Sequence, residues 1–232
     1  MPRAPSITVY SDIICPWCFV GKRQLEAALA TMPDEERPPL TWRPFELNPN
    51  MPAEGIARVD YRAAKFGKAK SDELDARLVD VGRAVGIVFN FEQQPRTPNS
   101  RRAHQLIWAA ERHDLQDGVV EHLFSAYFEQ GEDISKDSVL KRIGNEVGLP
   151  ADEVEQAIRS EDVAKQVASL EQTAAHIGVQ GVPFFIIAEK YALSGAQPPE
   201  QWQSIFSELA LLDAEPTPAS ASNDNAPDVT EH

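Results

Sequence analysis

Only two cysteines occur in the 232 residues, and they stand in one tight motif, Cys15-Pro-Trp-Cys18. Two thiols three positions apart can exchange with disulfides, hold a metal, or simply pack. A structural zinc site takes four ligands, and the five histidines (His104, His113, His122, His176, His232) offer no short His-x-x-x-His spacing to complete one, so no metal is expected. Packing alone is a poor account of a pair that falls where a strand-like segment gives way to a helix, which is the setting of a redox motif. If the helix begins with Pro16 at its first position, Cys15 is the N-cap and Cys18 lies at the third position. The Cys15 sulfur then meets unpaired backbone N–H groups and the positive end of the helix dipole. Thiols so placed have pKa values of roughly 3.5–7.5, against about 8.5 for a free cysteine. Cys18, a turn deeper, is within reach to close a disulfide. A second short motif, Gly181-Val182-Pro183, precedes an apolar run. It reads as strand punctuation. A cis Val182–Pro183 bond would instead free the Val182 N–H and C=O for a substrate.

The elements that must hold these residues follow from periodicity. Ser6–Tyr10 (SITVY) reads as a strand. A helix follows from Pro16 with Leu25, Ala28, Leu29 and Met32 on one face, stopped by Pro33. Leu40–Phe45 is a second strand, weakened by Pro44. From Tyr61 to Ile177 nearly every segment has helical period: Leu74, Leu78, Val81 and Val85; then Ala103, Leu106, Ile107 and Ala110 behind Asn99 as N-cap; then Leu123, Phe124, Tyr127 and Phe128. Leu140, Ile143 and Val147 mark a further helix. Val163, Val167, Leu170, Ala174 and Ile177 mark a long one that ends at Gly178. Strand character returns in Val182–Ala188 and Tyr191–Ser194, joined by a hairpin at Glu189-Lys190, and a last helix starts near Pro198-Pro199. The pattern is β-α-β, a block of helices, then β-β-α. The fold class expected is α/β, a thioredoxin fold with a large all-helical insertion. Residues 1–47 and 178–212 form the thioredoxin-fold domain, 59–177 the insertion, and 213–232 a disordered acidic tail.

Composition narrows the function classes. Hydrophobic residues at 42% and charged residues at 25% are ordinary for a globular protein, so no fibrous or low-complexity architecture is implied. The formal net charge of −14 argues against nucleic acid and anionic membrane as partners. No apolar run is long enough to span a bilayer, and no apolar leader precedes the first strand, so a cytoplasmic location is expected.

Taken together, several segments resemble the DsbA family of thioredoxin-fold proteins. The likeness is nearest to its FrnE-like branch, close to 2-hydroxychromene-2-carboxylate isomerase and the kappa-class glutathione transferases. They are SDIICPWCFVGK (11–22), WRPFELNP (42–49), PNSRRAH (98–104), AYF (126–128), GVQGVPFF (178–185) and SGAQ (194–197). The resemblance implies Cys15 as nucleophile, Cys18 as resolving thiol, a cis Val182–Pro183 peptide and a substrate cleft between the two parts. It also implies that Asn48 and Asn99, which by themselves read as turn and cap residues, line that cleft. The isomerase and transferase relatives carry serine where this chain has Cys15, which favours dithiol chemistry here. Periplasmic DsbA has histidine at the position of Trp17, so a strongly oxidising potential does not carry over.

The expected activity is therefore a protein disulfide oxidoreductase acting on a disulfide-containing protein or peptide, or with glutathione as redox partner and no bound cofactor. A glutathione-dependent isomerase or transferase is the first alternative, and a chaperone-like peptide cleft under redox control the second. A homodimer is left open. Trp17 is expected both to shield the thiols and to contact an apolar substrate. His104 reads as a packed histidine, and Lys22, four residues after Cys18, as a solvated cation.

Overall fold

The computed structural model of the chain describes residues 5–214. Strand β1 (Ile7–Ser11) leads into helix α1 (Pro16–Leu29) and strand β2 (Leu40–Pro44). After a long run of helices come β5 (Phe184–Ile187), β6 (Tyr191–Ser194) and α9 (Pro199–Ala214). The four strands form one sheet in the order β2-β1-β5-β6. β1 pairs with β2 in parallel, as a helical crossover requires, and with β5 antiparallel. Val9 sits between Trp42 and Phe185 in this register.

Both faces of the sheet are covered, which is why Phe184 to Ile187 is an unbroken apolar run rather than an alternating one. Ile7, Val9, Phe185 and Ile187 face the main core, where Trp202 of α9 meets the Phe185 ring edge-on at 4.8 Å. Tyr10, Phe184 and Ile186 face the other way, toward Ala174 and Val179.

Between β2 and β5 lie α2 (Arg58–Phe66), α3 (Lys68–Ala84), α4 (Arg101–Ala110), α5 (Gln116–Phe124), α6 (Asp137–Glu146), α7 (Ala151–Arg159) and α8 (Glu161–His176). The thioredoxin fold with a helical insertion is thus present. Among the described residues, the block also holds one short antiparallel ladder, β3 (Ile56–Ala57) with β4 (Arg96–Thr97). Helix α4 is buried on nearly every side, touching α5, α7, α8 and β2. The free edge of β2 is closed by a side chain: Gln116 accepts from Trp42 N–H at 3.0 Å and donates to Trp42 C=O at 3.2 Å, as a neighbouring strand would. The stripe expected through Leu123 and Phe124 continues into a π turn, Ser125–Glu129, which buries Ala126, Tyr127 and Phe128 in succession.

Three local expectations need correction. Helix α1 ends at Leu29, before Pro33, where the Thr31 hydroxyl bonds the Ala28 carbonyl at 2.7 Å, so Met32 lies beyond it. The hairpin turns at Ala188-Glu189 rather than Glu189-Lys190; both have positive φ (53° and 57°), and Lys190 N–H closes the turn on Ile187 O. The N-cap of α4 is Ser100; Asn99 acts one residue earlier, accepting from Arg101 N–H at 2.9 Å. Helix α9 runs just past Leu212, and residues 215–232, most of the expected tail, lie outside the described residues.

Candidate active site

Cys15 is the N-cap of α1, in extended backbone, with Pro16 opening the helix and no side-chain cap. Its N–H donates to Asp12 O at 3.0 Å, and its own carbonyl accepts from Cys18 N–H at 3.0 Å, so two successive turns carry the motif. Asp12 is fully buried and pins this loop. Its carboxylate accepts from Ile14 N–H at 3.2 Å and, across from the end of β2, from Leu47 N–H at 2.7 Å. The Val182–Pro183 bond is cis, and the Cys15 thiol donates to Val182 O at 3.6 Å. Gly21 lets the two segments close: a Cβ there would stand 3.1 Å from Pro183 Cγ.

Both cysteines are free thiols and both are buried. Their surroundings differ. Cys15 lines a cleft of about 280 Å³, whereas Cys18 does not. Burial, and then the adjacent Cys15, push the Cys18 thiol well above its ordinary pKa, against smaller opposing effects of the Asp12 backbone and Ser11. Cys15 is thus the sulfur on the cleft wall, and Cys18 lies behind it with its thiol pKa raised.

Trp17, 37% exposed, stands on the cleft wall with Arg77 5.9 Å above its ring. Val182 meets Cys15 from the sheet side. The two asparagines are engaged elsewhere. Asn48 Oδ1 accepts from the Tyr61 hydroxyl at 2.8 Å, which places it behind a cleft residue rather than on the wall. Asn99 donates to Met51 O at 2.7 Å and is not part of the lining. The rest of the wall comes from residues not expected in the site: Arg58, Tyr61, Arg62 and Lys65 of α2, with Phe91 and Tyr127 among the aromatic ones. A basic stripe at spacings of four and three residues in an acidic chain was the available signal.

Lys22 is not solvated. It is 2% exposed and ion-paired with Glu26, with Asp117 at 3.2 Å and with Glu121 at 3.1 Å. Burial opposes its charge, but these three carboxylates together raise its pKa. It ties α1 to α5 rather than serving the thiols.

His104 is packed, as expected, with Nε2 3.5 Å from Asp12 Oδ1. Burial disfavours its protonation, but Asp12, Glu171 and Glu46 outweigh that and raise its pKa. Glu171 on α8 belongs to the same cluster; burial and Glu46 lift its carboxyl to about 7, against His104 and Arg101. Both shifts have the same sign for stability. The folded state holds a proton on Glu171 between pH 4.5 and about 7 that the unfolded chain has released, so stability falls as pH rises through that window. His104 adds to the fall above its ordinary value of 6.5. Glu171→Gln should flatten the melting-temperature profile from pH 5 to 7. Discounted for partial exposure, it should stabilise the protein at pH 8 by about 1 kcal/mol, or about 2–4 °C. An unchanged profile in a calorimetric pH series would refute this.

The fold and site define a thioredoxin-fold protein with a helix-start dithiol beside a cis-proline. The chain matches the DSBA-like thioredoxin domain over residues 6–207, and it belongs to that family. A probable DsbA oxidoreductase from Streptomyces coelicolor superposes with a TM-score of 0.82 at 26% identity, over 94% of each chain. A 2-hydroxychromene-2-carboxylate isomerase superposes with a TM-score of 0.65 at 19% identity, over 90% of this chain and 97% of that one. The cytosolic disulfide reductase DsbM from Pseudomonas aeruginosa, solved with GSH, gives 0.60 at 18% identity, over 89% and 99%. The last two likenesses are likenesses of fold. Among the described residues, no helix is long and apolar enough to cross a membrane.

Proposed function

We propose that this protein is a thiol–disulfide oxidoreductase that works through the Cys15–Cys18 dithiol in a reducing, cytoplasmic setting. The observation that carries the reading is the position of the Cys15 sulfur, 3.6 Å from Val182 O and on the wall of the cleft, with Cys18 buried behind it. The Cys15 thiolate attacks one sulfur of the substrate disulfide. The S–S bond breaks, the departing thiolate takes a proton from solvent, and a mixed disulfide remains on Cys15. Cys18 then loses its proton and attacks the Cys15 sulfur, which releases the second substrate thiol and leaves a Cys15–Cys18 disulfide. Two electrons pass from protein to substrate. A small thiol such as glutathione returns them; one fold relative is a disulfide reductase solved with GSH. The Val182 backbone flanks the substrate half bound to Cys15.

Two sulfurs make this reading preferable to a glutathione-dependent isomerase, which needs no second thiol. The test is reduction of insulin by dithiothreitol with and without the protein. Catalysed precipitation of the insulin B chain, abolished by prior alkylation of the protein, is the expected result. A protein that leaves the uncatalysed rate unchanged, while its thiols titrate as free, would overturn the reading.

A further inference from the structure

We infer that the cleft beside Cys15 selects disulfides carrying negative charge, and that the preferred substrate is a small disulfide with a carboxylate close to the reacting sulfur. This rests on the dithiol reading above and names the substrate class of the same site.

Arg58, Arg62 and Lys65 follow one another on one face of α2, and all three line the cleft that Cys15 and Trp17 line from the start of α1. The only carboxylate in the lining is Asp75 of α3. It is shared: Asp75 Oδ2 accepts from Arg58 Nη2 at 2.7 Å and Oδ1 from Arg62 Nη2 at 2.5 Å. Arg62 is held further by Ser71 Oγ at 2.9 Å, and Lys65 by the Tyr61 hydroxyl at 2.8 Å. The other lining residues, Ile14 to Trp17, Leu47, Phe91, Gln94, Thr97, Tyr127 and Phe128, include no acid.

Three cations thus face one anion. The chain as a whole is strongly acidic, with a net charge of −14, so a positive wall is not what average composition would place here. Asp75 is one carboxylate between two guanidiniums, and Lys65 beside them pairs with no carboxylate in the lining. Among the described residues, the hydrogen bonds of the two guanidiniums run through Arg58 Nη2 and through Arg62 Nε and Nη2. The remaining N–H groups of each planar fork make no hydrogen bond among the described residues, and a guanidinium can add a carboxylate partner through them. Apart from Gln94 and Thr97 the rest of the wall is mostly apolar and aromatic (Trp17, Tyr61, Phe66, Phe91, Phe128), which lowers the local dielectric and strengthens charge recognition. A cleft of about 280 Å³ has room for a small disulfide.

The test uses the full reduced chain and three small disulfides of similar size: dithiodiglycolate (dianionic), 2-hydroxyethyl disulfide (neutral) and cystamine (dicationic). Exchange is followed by stopped flow, and each rate is divided by that of a free, uncharged thiol with the same disulfide. The normalised rate for dithiodiglycolate should exceed that for cystamine by roughly tenfold or more at low salt. The ratio should shrink several-fold in 0.5 M NaCl, a salt concentration at which such charges are largely screened. Arg62→Gln should lower the ratio of dianionic to neutral rates, and Lys165→Gln, on exposed α8 surface, should leave that ratio as it is. Equal normalised rates for the three disulfides, or a preference indifferent to salt, would overturn the inference and leave the dithiol reading standing. Exchange with none of them would remove the dithiol reading and this inference with it.

Discussion

Cys15→Ser should abolish thiol–disulfide exchange, whereas Cys18→Ser should keep its first half and stop at a mixed disulfide on Cys15. The asymmetry follows from the two environments. The Cys15 sulfur lines the cleft, so its loss removes the one thiol on that wall; the remaining Cys18 is buried and outside the lining, and burial raises its pKa. Cys18→Ser leaves the attacking sulfur in place and removes the one group positioned to displace the substrate from it. Both variants should stay folded. The start of α1 is set by Pro16 and by the Asp12 and Cys15 backbone bonds, none of which uses a thiol. The loss for Cys15→Ser should be at least about a thousandfold in insulin reduction, since a hydroxyl is a poor nucleophile toward sulfur at neutral pH. Intact-mass spectrometry after exposure to a small disulfide should show one adduct on the Cys18→Ser protein and none on the Cys15→Ser protein. The reverse adduct pattern would exchange the two roles. Turnover retained in Cys15→Ser would end the dithiol mechanism.

Phe19→Ala should be the most destabilising single change outside the dithiol. Phe19 sits on α1, one residue after Cys18, and is fully buried. It stacks on Phe124 at 5.0 Å and lies 6.2 Å from both Phe128 and Phe89, so its ring joins the sheet layer to the helical block. Buried Phe-to-Ala changes cost about 3–5 kcal/mol, from lost transfer energy and from the cavity left behind. For a chain of this length that is a fall of about 10 °C in melting temperature. One contiguous apolar cluster runs from Ile7 and Val9 through Phe19 to Leu140 and Ile158, so sheet and helices should lose structure together. Denaturant unfolding followed by tryptophan fluorescence and by far-ultraviolet circular dichroism should give coincident transitions, both shifted. A loss under about 1 kcal/mol, or two separated transitions, would show that the layers are not coupled through this ring.

Much of the site was legible because its signals are local. A β-branched run, a proline at the first helical position and two cysteines three apart place one sulfur at a helix start, whatever the remainder of the chain does. The unbroken apolar run at Phe184–Ile187 and the change from period two to period three-and-a-half and back were equally local, and they outlined a sheet interrupted by helices. The turn at Ala188-Glu189 was missed for the converse reason. Neither residue advertises positive φ, and it is the pairing of Ile187 with Tyr191 that holds them there.

Partners distant in sequence were not legible. Lys22 reads as solvated because its own helix says nothing of Asp117 and Glu121, which α5 brings to it from about a hundred residues away. Asn48 and Asn99 sit in segments that resemble a binding family, yet Tyr61 bonds the Asn48 side-chain oxygen and Met51 the Asn99 amide. By itself, then, the sequence determined the dithiol, its position at a helix start and the order of strands and helices, since each depends on neighbours within a few residues. Only the tertiary structure decided how close the Val182 carbonyl comes to Cys15 and that Arg58, Arg62 and Lys65 share the dithiol's wall. Those depend on how the β5 end of the sheet and helix α2 are set around the start of α1, a choice made by side-chain complementarity across the whole core.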